Sequence, residues 1–500
     1  MFTWVGRKTI AGYAYLAALA TLFAQAVFDL IIPPKQGRGE TFRVLVRQIL
    51  FTGVDALPVT TVIALLLGII IVTQAGTQLP RLGAGGLVGS IIVVTVIREL
   101  GPLVTAFIVL GRSGSAIATE LGNMSVTREV VALRLMGIPI SRFVIMPRMV
   151  GMVLSMVCLT LYFDVVAVFG GYLVADAQLT IPLDAFAESV IRALSTTDVL
   201  MTAIKGLGFG SAVAAVCCYP GCPIVLYGGA ATNNPRDDQL FRPVSADRCR
   251  RDGTVVSMSE AAIIFDKIRA PMLGGDLWLE LDLKIMAGEC VACVGPSRAG
   301  KSLMVELAAG LIAPESGRVL VLGQGWSEVP DDAPGSVRLK VGVVLQQPGL
   351  LSNMTLFNNV LLPLRYHRSA MPDRHREQAV MGELERLGLA SLRDRFPAEL
   401  NQGEARRGAI ARALILEPEV LLLDDPVAGL DADMVLGLKS SIDERRTQRP
   451  LTVLAALRSC SPFVDAADRL IVLRDGHVEA DGTRDTVRDL APEALRRYVE

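Results

Sequence analysis

The run Gly295-Pro296-Ser297-Arg298-Ala299-Gly300-Lys301-Ser302 has the residue types of a phosphate cradle. Loop amides and a helix N-terminus can face an anion there, the Lys301 ammonium neutralises it, and the Ser302 hydroxyl can enter a Mg²⁺ shell. The chemistry implied is the binding of a nucleotide with Mg²⁺. Such a loop must be held between a strand and a helix. The apolar run Cys290–Val294 precedes it and the helix-like stretch Leu303–Leu311 follows, so the order strand, loop, helix is met.

The chain has 500 residues, 51% of them hydrophobic, and a mean hydropathy of +0.46, which is too apolar for a soluble enzyme of this size. The apolar excess precedes about residue 225 and the charged residues crowd the second half, so a membrane domain is followed by a soluble one. A net charge of −1 and the lack of a basic block exclude nucleic acid as an expected partner. The cluster Cys217-Cys218-Tyr219-Pro220-Gly221-Cys222 has no histidine near it in sequence, and small apolar residues at a helix end explain it better than a metal site. Thiols at Cys249, Cys290, Cys293 and Cys460 suit a reducing cytoplasm.

Residues 9–32 imitate a signal peptide, but cleavage would export Lys35, Arg38, Arg43 and Arg47. They read as an uncleaved helix, lying in the interface or spanning. Pro58–Val72 with its flanks, Gly85–Leu110, Met149–Val174 and Leu200–Tyr219 are long and apolar enough to cross about 30 Å of hydrocarbon. The segment 112–148 carries Arg112, Arg128, Arg134, Arg142 and Arg148, whereas 175–198 is mainly acidic, which puts the first inside and the second outside. These crossings return the chain to the cytoplasm at residue 220, where ATP is found. Arg98 and Glu99, followed by Gly101-Pro102, sit at membrane depth, as do Asp164 and Lys205. Such charges line a substrate path or lock two helices together, and Pro102 should kink its helix and free a carbonyl.

The run Arg98-Glu99-Leu100-Gly101-Pro102, then Gly111-Arg112-Ser113-Gly114-Ser115-Ala116, then Glu120-Leu121-Gly122-Asn123-Met124, and after it Ala132-Leu133, Met136-Gly137 and Pro147-Arg148, resembles the MlaE permease family of bacterial lipid-transport ABC systems over roughly residues 40–222. The resemblance implies that residues 117–137, with Glu120, Gly122 and Met124, form the cytoplasmic coupling helix that touches the ATPase. Two departures stand out: Arg128-Glu129 replaces a Glu-Gln pair, and the family's last membrane helix, expected after residue 222, has no counterpart.

Residues 223–258 are turn-rich and charged and read as a tether. From Ala262 apolar strand-like runs (Ile263–Ile268, Cys290–Val294, Val341–Leu345, Val420–Leu423, Leu451–Ala455, Arg469–Leu473) alternate with helical stretches, an α/β nucleotide-binding pattern. The order of motifs over about 260–485 is similar to that of ABC-transporter ATPases, particularly the MlaF branch. That likeness implies that Gln346 is the Q-loop amide sensing Mg²⁺, that Asp424 ends Walker B and holds the Mg²⁺ shell, and that Asp425 polarises the attacking water. It makes Leu400-Asn401-Gln402-Gly403-Glu404 the signature, with Asn401 and Gly403 facing a nucleotide across a dimer, Gly429-Leu430-Asp431 the D-loop, and Arg458 the residue at the switch-histidine position. Departures gather on the chemistry: Gln402 for a glycine, Arg298 for a glycine, Leu303 for a hydroxyl residue, Asp425 for a glutamate, Arg458 for the histidine, and no adenine-stacking aromatic near Met272 or Leu273. ATP binding survives these changes better than ATP turnover.

The expected organisation is an N-terminal helix and elbow over 1–57, an all-α permease domain over 58–222, a linker over 223–258 and an α/β P-loop domain over 259–490. The expected protein is a multi-pass protein of the bacterial inner membrane with its ATPase in the cytoplasm. It would act as a homodimeric half-transporter passing phospholipid, or a similar amphiphile, to or from an MCE-domain partner. The other reading is an ATP-binding, non-hydrolysing scaffold or regulator that works with a second, competent ATPase.

Overall fold

A computed structural model of the chain describes residues 2–31, 37–78, 88–179, 182–219, 261–272, 277–326, 336–458 and 462–490. The tether 223–258, the region after residue 222 and Leu273 lie outside the described residues. The chain divides into two compact units, Met1–Asn123 with Ser141–Val225, and Met124–Ile140 with Leu226–Glu500. The short segment 124–140 of the permease sequence therefore folds as part of the nucleotide-binding body.

The first unit is helical: α1 (Phe2–Ile31), α2 (Arg38–Thr52) and α3 (Leu57–Gln78), then α4 (Gly89–Val126), which contains π-helical stretches at Val93–Leu100 and Leu110–Gly114. Following the segment that joins the second unit come α5 (Met146–Leu179), α6 (Leu183–Ala193) and α7 (Thr196–Cys218). Among the described residues, five helices are long and apolar enough to span a membrane, Gly12–Ile31 being one of them. Gly68 sets the α3–α5 crossing, because a Cβ there would lie 1.9 Å from the Ala167 carbonyl oxygen. Backbones approach this closely in lipid because helix association there depends on packing, not on expelling water.

Membrane-depth charges are sorted by α7. Asp198, Thr202 and Lys205 recur at helical spacing on one face. The Asp198 carboxylate takes Arg98 Nε at 2.8 Å, and Lys205 Nζ takes Glu99 at 3.1 Å. Pro102 has no N–H to offer its own helix, and carbonyls before it turn to α7: Thr202 Oγ1 donates to Ile97 O (3.1 Å) and Lys205 Nζ to Arg98 O (2.5 Å). The adjacent Arg98 and Glu99 thus do not neutralise each other; each pairs with a different turn of α7. Asp164 is buried on α5 with neither carboxyl oxygen hydrogen-bonded. Cys217 and Cys218 are buried cysteines near the end of α7, not joined in a disulfide, and no metal-binding cluster occurs among the described residues.

The second unit begins with α8 (Glu129–Leu135). Its strands are β1 (Ala261–Pro271), β2 (Trp278–Met286), β3 (Cys290–Val294), β4 (Ser316–Val321), β5 (Gln324–Gly325), β6 (Val341–Val344), β7 (Val420–Asp424), β8 (Thr452–Ala456), β9 (Arg469–Arg474) and β10 (His477–Gly482). Its remaining helices are α9 (Lys301–Ala308), α10 (Leu356–His367), α11 (Asp373–Arg386), α12 (Gln402–Leu414), α13 (Ala432–Gln448) and α14 (Arg484–Leu490). One sheet is antiparallel, in the order β2-β1-β4-β5; the other runs β10-β9-β3-β8-β7-β6 and is parallel from β9 to β6. Strands β3, β7 and β8 are buried along their whole length, as expected of a parallel sheet covered on both faces. The sequence runs locate the parallel strands to within a residue or two. They miss β2, β4, β5 and β10, which belong to the antiparallel sheet or its hairpin edge.

Candidate functional site

The register of the parallel sheet assembles the site. Ala456 on β8 lies opposite both Cys293 on β3 and Asp424 on β7, so the three strands end on one line and the loops beyond them share one crevice. Ligands of open parallel sheets bind at this carboxyl edge. The phosphate loop leaves β3 at Gly295, whose φ is +143°. A Cβ there would fall 2.1 Å from Leu473 O, so glycine is required both for the backbone conformation and for the fit. Arg298 holds φ +67°, a left-handed conformation that glycine adopts freely and arginine does not. Its side chain is exposed, as is that of Ser297, while Ala299 is buried and Pro296 half-buried.

Lys301 opens α9 with its side chain folded back into the loop, Nζ donating to Gly295 O and Pro296 O at 2.7 Å each. Burial, the largest influence, lowers its pKa from the ordinary lysine value. Ser302 Oγ lies 3.0 Å from Asp424 Oδ1. Burial is also the main reason the Asp424 carboxyl is pushed up to about 6. A hydroxyl against a buried carboxylate is a hard-oxygen donor pair of the kind Mg²⁺ takes, so the residues fit the ion. Leu303 turns away from this crevice and packs in the apolar core with Met304 and Leu279. The neighbouring thiols Cys290 and Cys293 are pushed up to about 12 by burial and are chemically inert.

The two carboxylates that end the β7 motif are treated differently. Asp425 has φ +55°, its N–H bonds to Ala456 O (2.8 Å), and its Oδ2 meets Arg458 Nε at 2.9 Å. The arginine expected at a switch position thus grips the carboxylate expected to polarise water. Gln346 follows β6 with an exposed side chain, and its carbonyl oxygen accepts from Arg406 Nη2 at 2.6 Å. Arg406 was not among the sequence candidates. Its fully buried guanidinium also donates to Asp425 O (2.7 Å) and Asp424 O (3.3 Å), tying the Gln346 loop to the acidic pair from α12. Its one sequence signal is an arginine in the first turns of a helix that otherwise reads as small and apolar on its buried face apart from Arg412.

Signature residues are engaged in local structure. Asn401 Oδ1 accepts from Glu404 N (2.8 Å) and the Glu404 carboxylate accepts from Asn401 N (2.9 Å), a reciprocal cap on α12. The Gln402 side chain lies against Gly429, and Gly403 packs on the Gly429 carbonyl, so signature and D-loop touch. Asp431 Oδ1 caps α13 through Met434 N (2.8 Å). Met272, at the expected adenine position, is buried near Gly476.

Of the coupling candidates, Glu120 holds the buried Arg148 at 2.8 Å within the first unit, which also contains Gly122. Met124 begins the segment that joins the second unit, and the contacts to ATPase residues come from the turn after it. The His367 ring nitrogen Nε2 lies 2.7 Å from Met136 O, and Val131 and Leu135 are buried in the same core as α9.

The sequence pattern of the Permease MlaE family matches residues 45–230, and that of the ABC transporter family matches 279–428. A probable ABC transporter permease protein of Rickettsia prowazekii is 32% identical over 218 residues, 43% of this chain and 82% of that protein. A methionine import ATP-binding protein, MetN 1 of Rhodopseudomonas palustris, is 35% identical over 221 residues, 44% of this chain. The chain spans 59% of that relative's length. Among solved structures, a dimeric ATP-binding cassette with ADP and phosphate matches at 28% identity and TM-score 0.41, covering 44% of this chain and 98% of that one.

Proposed function

Since the chain belongs to the MlaE permease family and carries an ABC transporter ATPase domain in the same polypeptide, we propose that it is an ATP-driven half-transporter moving phospholipid or a similar amphiphile. Two copies would form the working unit in a bacterial inner membrane and exchange lipid with an MCE-domain partner. The observation that carries this reading is that permease residues 124–140 fold within the nucleotide-binding body. A permease segment built into an ATPase is a mechanical link between nucleotide and membrane helices. For the cargo, α3 and α4 border an open recess of about 390 Å³ walled by Ile70, Ile71 and Ile91, with Gln74, Gln78 and Thr95 supplying polar groups. An apolar wall with a few amides and hydroxyls suits an acyl chain and its headgroup linkage. Arg98 and Glu99, partly exposed beside α7, would border the same path.

In this mechanism Lys301 leaves its loop carbonyls for the β- and γ-phosphates, and the loop amides take the phosphate oxygens. Ser302, Asp424 and the Gln346 amide would hold Mg²⁺, which neutralises charge developing on the transferred phosphoryl group. Asp425 orients a water for in-line attack and accepts its proton as ADP leaves. For that its carboxylate must exchange Arg458 for the water. A guanidinium pairs strongly with phosphate, so the γ-phosphate is the natural competitor for Arg458. Asn401 and Gly403 of the second copy would complete the closed site.

The same Arg458–Asp425 pair favours a second reading, a nucleotide-gated regulator that binds ATP without turnover because its water-polarising carboxylate stays occupied. ATP turnover by the full chain in lipid nanodiscs, beside Lys301→Ala and Asp425→Asn variants, separates the two. Turnover above both variants supports the transporter, whereas nucleotide binding with no turnover would leave only the regulator.

A further inference from the structure

The segment that enters the nucleotide-binding unit is held there in three ways. Val131 and Leu135 are buried in the core shared with α9. The loop after Gln346 lies beneath it: a Cβ at Gly349 would stand 3.0 Å from Ala132 Cβ and 3.1 Å from Arg128 O. Arg412 secures that loop from α12, donating to Gly349 O (2.7 Å) and Pro348 O (2.9 Å). The third hold is electrostatic. Arg128 Nη1 meets Glu306 Oε1 at 3.2 Å, and the Glu306 side chain is only 5% exposed. Arg128 takes a left-handed backbone, φ +58°, at the N-cap of α8. A bulky side chain in that conformation is held there by its surroundings.

Glu306 lies on α9, the helix whose first residue is Lys301 and whose second is Ser302. We propose that the Arg128–Glu306 ion pair is a charge lock that couples the permease segment directly to the phosphate-loop helix and admits a basic, not an acidic, coupling segment to this ATPase. This rests on the transporter reading for its purpose but on its own contacts for its existence. A buried carboxylate facing a cation is held in place, and the same carboxylate facing another carboxylate is strongly disfavoured. Movement of the segment therefore reaches the nucleotide by two routes. One runs through Gly349 and the Gln346 loop, the other through Arg128, Glu306 and α9 to Lys301 and Ser302. Arg128 acts through Glu306 and is a positioning residue.

The test uses the full chain in lipid nanodiscs with Arg128→Glu, Glu306→Arg, the double exchange of both, and the uncharged pair Arg128→Gln with Glu306→Gln. ATP turnover and the Mg²⁺ dependence of binding a non-hydrolysable ATP analogue are both measured. Each single reversal should lower turnover about tenfold and raise half-saturating Mg²⁺ severalfold, and the double exchange should return both to within about threefold of the parent. The uncharged pair should keep the parent's melting temperature and lose turnover severalfold, which a purely structural contact would not produce. A double exchange no better than the worse single variant, or single variants with parental turnover and Mg²⁺ dependence, would overturn the lock. If the parent itself shows no turnover, the transporter reading fails, while the Mg²⁺ titration still decides the lock. If neither single variant folds, the uncharged pair and the double exchange decide it by the same two readouts.

Discussion

The half of the crevice that holds phosphate and the half that would break its bond are built on opposite plans. In the first, Gly295, Lys301 and Ser302 are set by backbone geometry, and the ammonium rests on carbonyls of its own loop. The two hydrogen bonds that hold the ammonium there are ones phosphate oxygens can replace. In the second, the Asp425 carboxylate is already paired with a guanidinium whose side chain is 58% exposed, and signature residues are spent on helix caps. The cradle is thus formed in advance, whereas the carboxylate proposed to orient water already has a partner. The contrast is between a cradle whose cation rests on its own loop and a carboxylate that already has a partner.

The largest effect expected from this contrast is on affinity. Lys301→Ala removes the cradle's cation and should weaken ATP binding by about a hundredfold or more, measured by titration with a fluorescent nucleotide. Next in size, Asp425→Asn should lower turnover about a hundredfold and leave affinity within about twofold. Equal losses in both would merge the two halves. Arg458→His should free Asp425 and raise turnover severalfold, with a new inflection near pH 6.5 that the parent lacks.

A smaller effect follows from the Asp424 carboxyl, held at about 6 by burial. Its raised value means that the neutral acid stabilises the nucleotide-free fold below the unfolded value of 3.8, and that this is lost as pH rises through 6. Above that pH, Asp424→Asn should make the nucleotide-free protein more stable, by up to about 3 kcal/mol in thermal unfolding, while Mg²⁺ affinity collapses. In the parent, Mg²⁺ must displace a proton below pH 6, so half-saturating Mg²⁺ should rise with acidity there. The smallest effect concerns the loop itself: Arg298→Gly should relieve the left-handed strain by about 0.5 kcal/mol, seen as a slightly higher melting temperature.

The legible parts of the molecule were those where one local pattern suffices. Cys290–Val294 with Gly295–Ser302 declared strand, cradle and helix start, because a glycine-lysine loop after an apolar run has few other uses. The membrane helices were equally plain from length and hydropathy. The strands β2, β4 and β10 do not read as apolar runs: β4 and β10 are short and half-exposed, and β2 alternates regularly but gives its outward positions to Glu280, Asp282 and Lys284. The adjacent Arg98 and Glu99 invited pairing with each other, yet neighbours on a helix point about 100° apart, and α7 offers each its own partner.

What the sequence by itself determined is chemistry confined to a few adjacent residues: the phosphate loop between its strand and helix, and the apolar spans. What the tertiary structure decided is which of these touch. Residues 425 and 458, 406 and 346, and 128 and 306 are distant in the chain, and no spacing rule links them. Parallel-strand register and helix packing bring them within hydrogen-bonding reach, and whether a carboxylate is free, capped or locked depends on that reach, not on its neighbours in sequence.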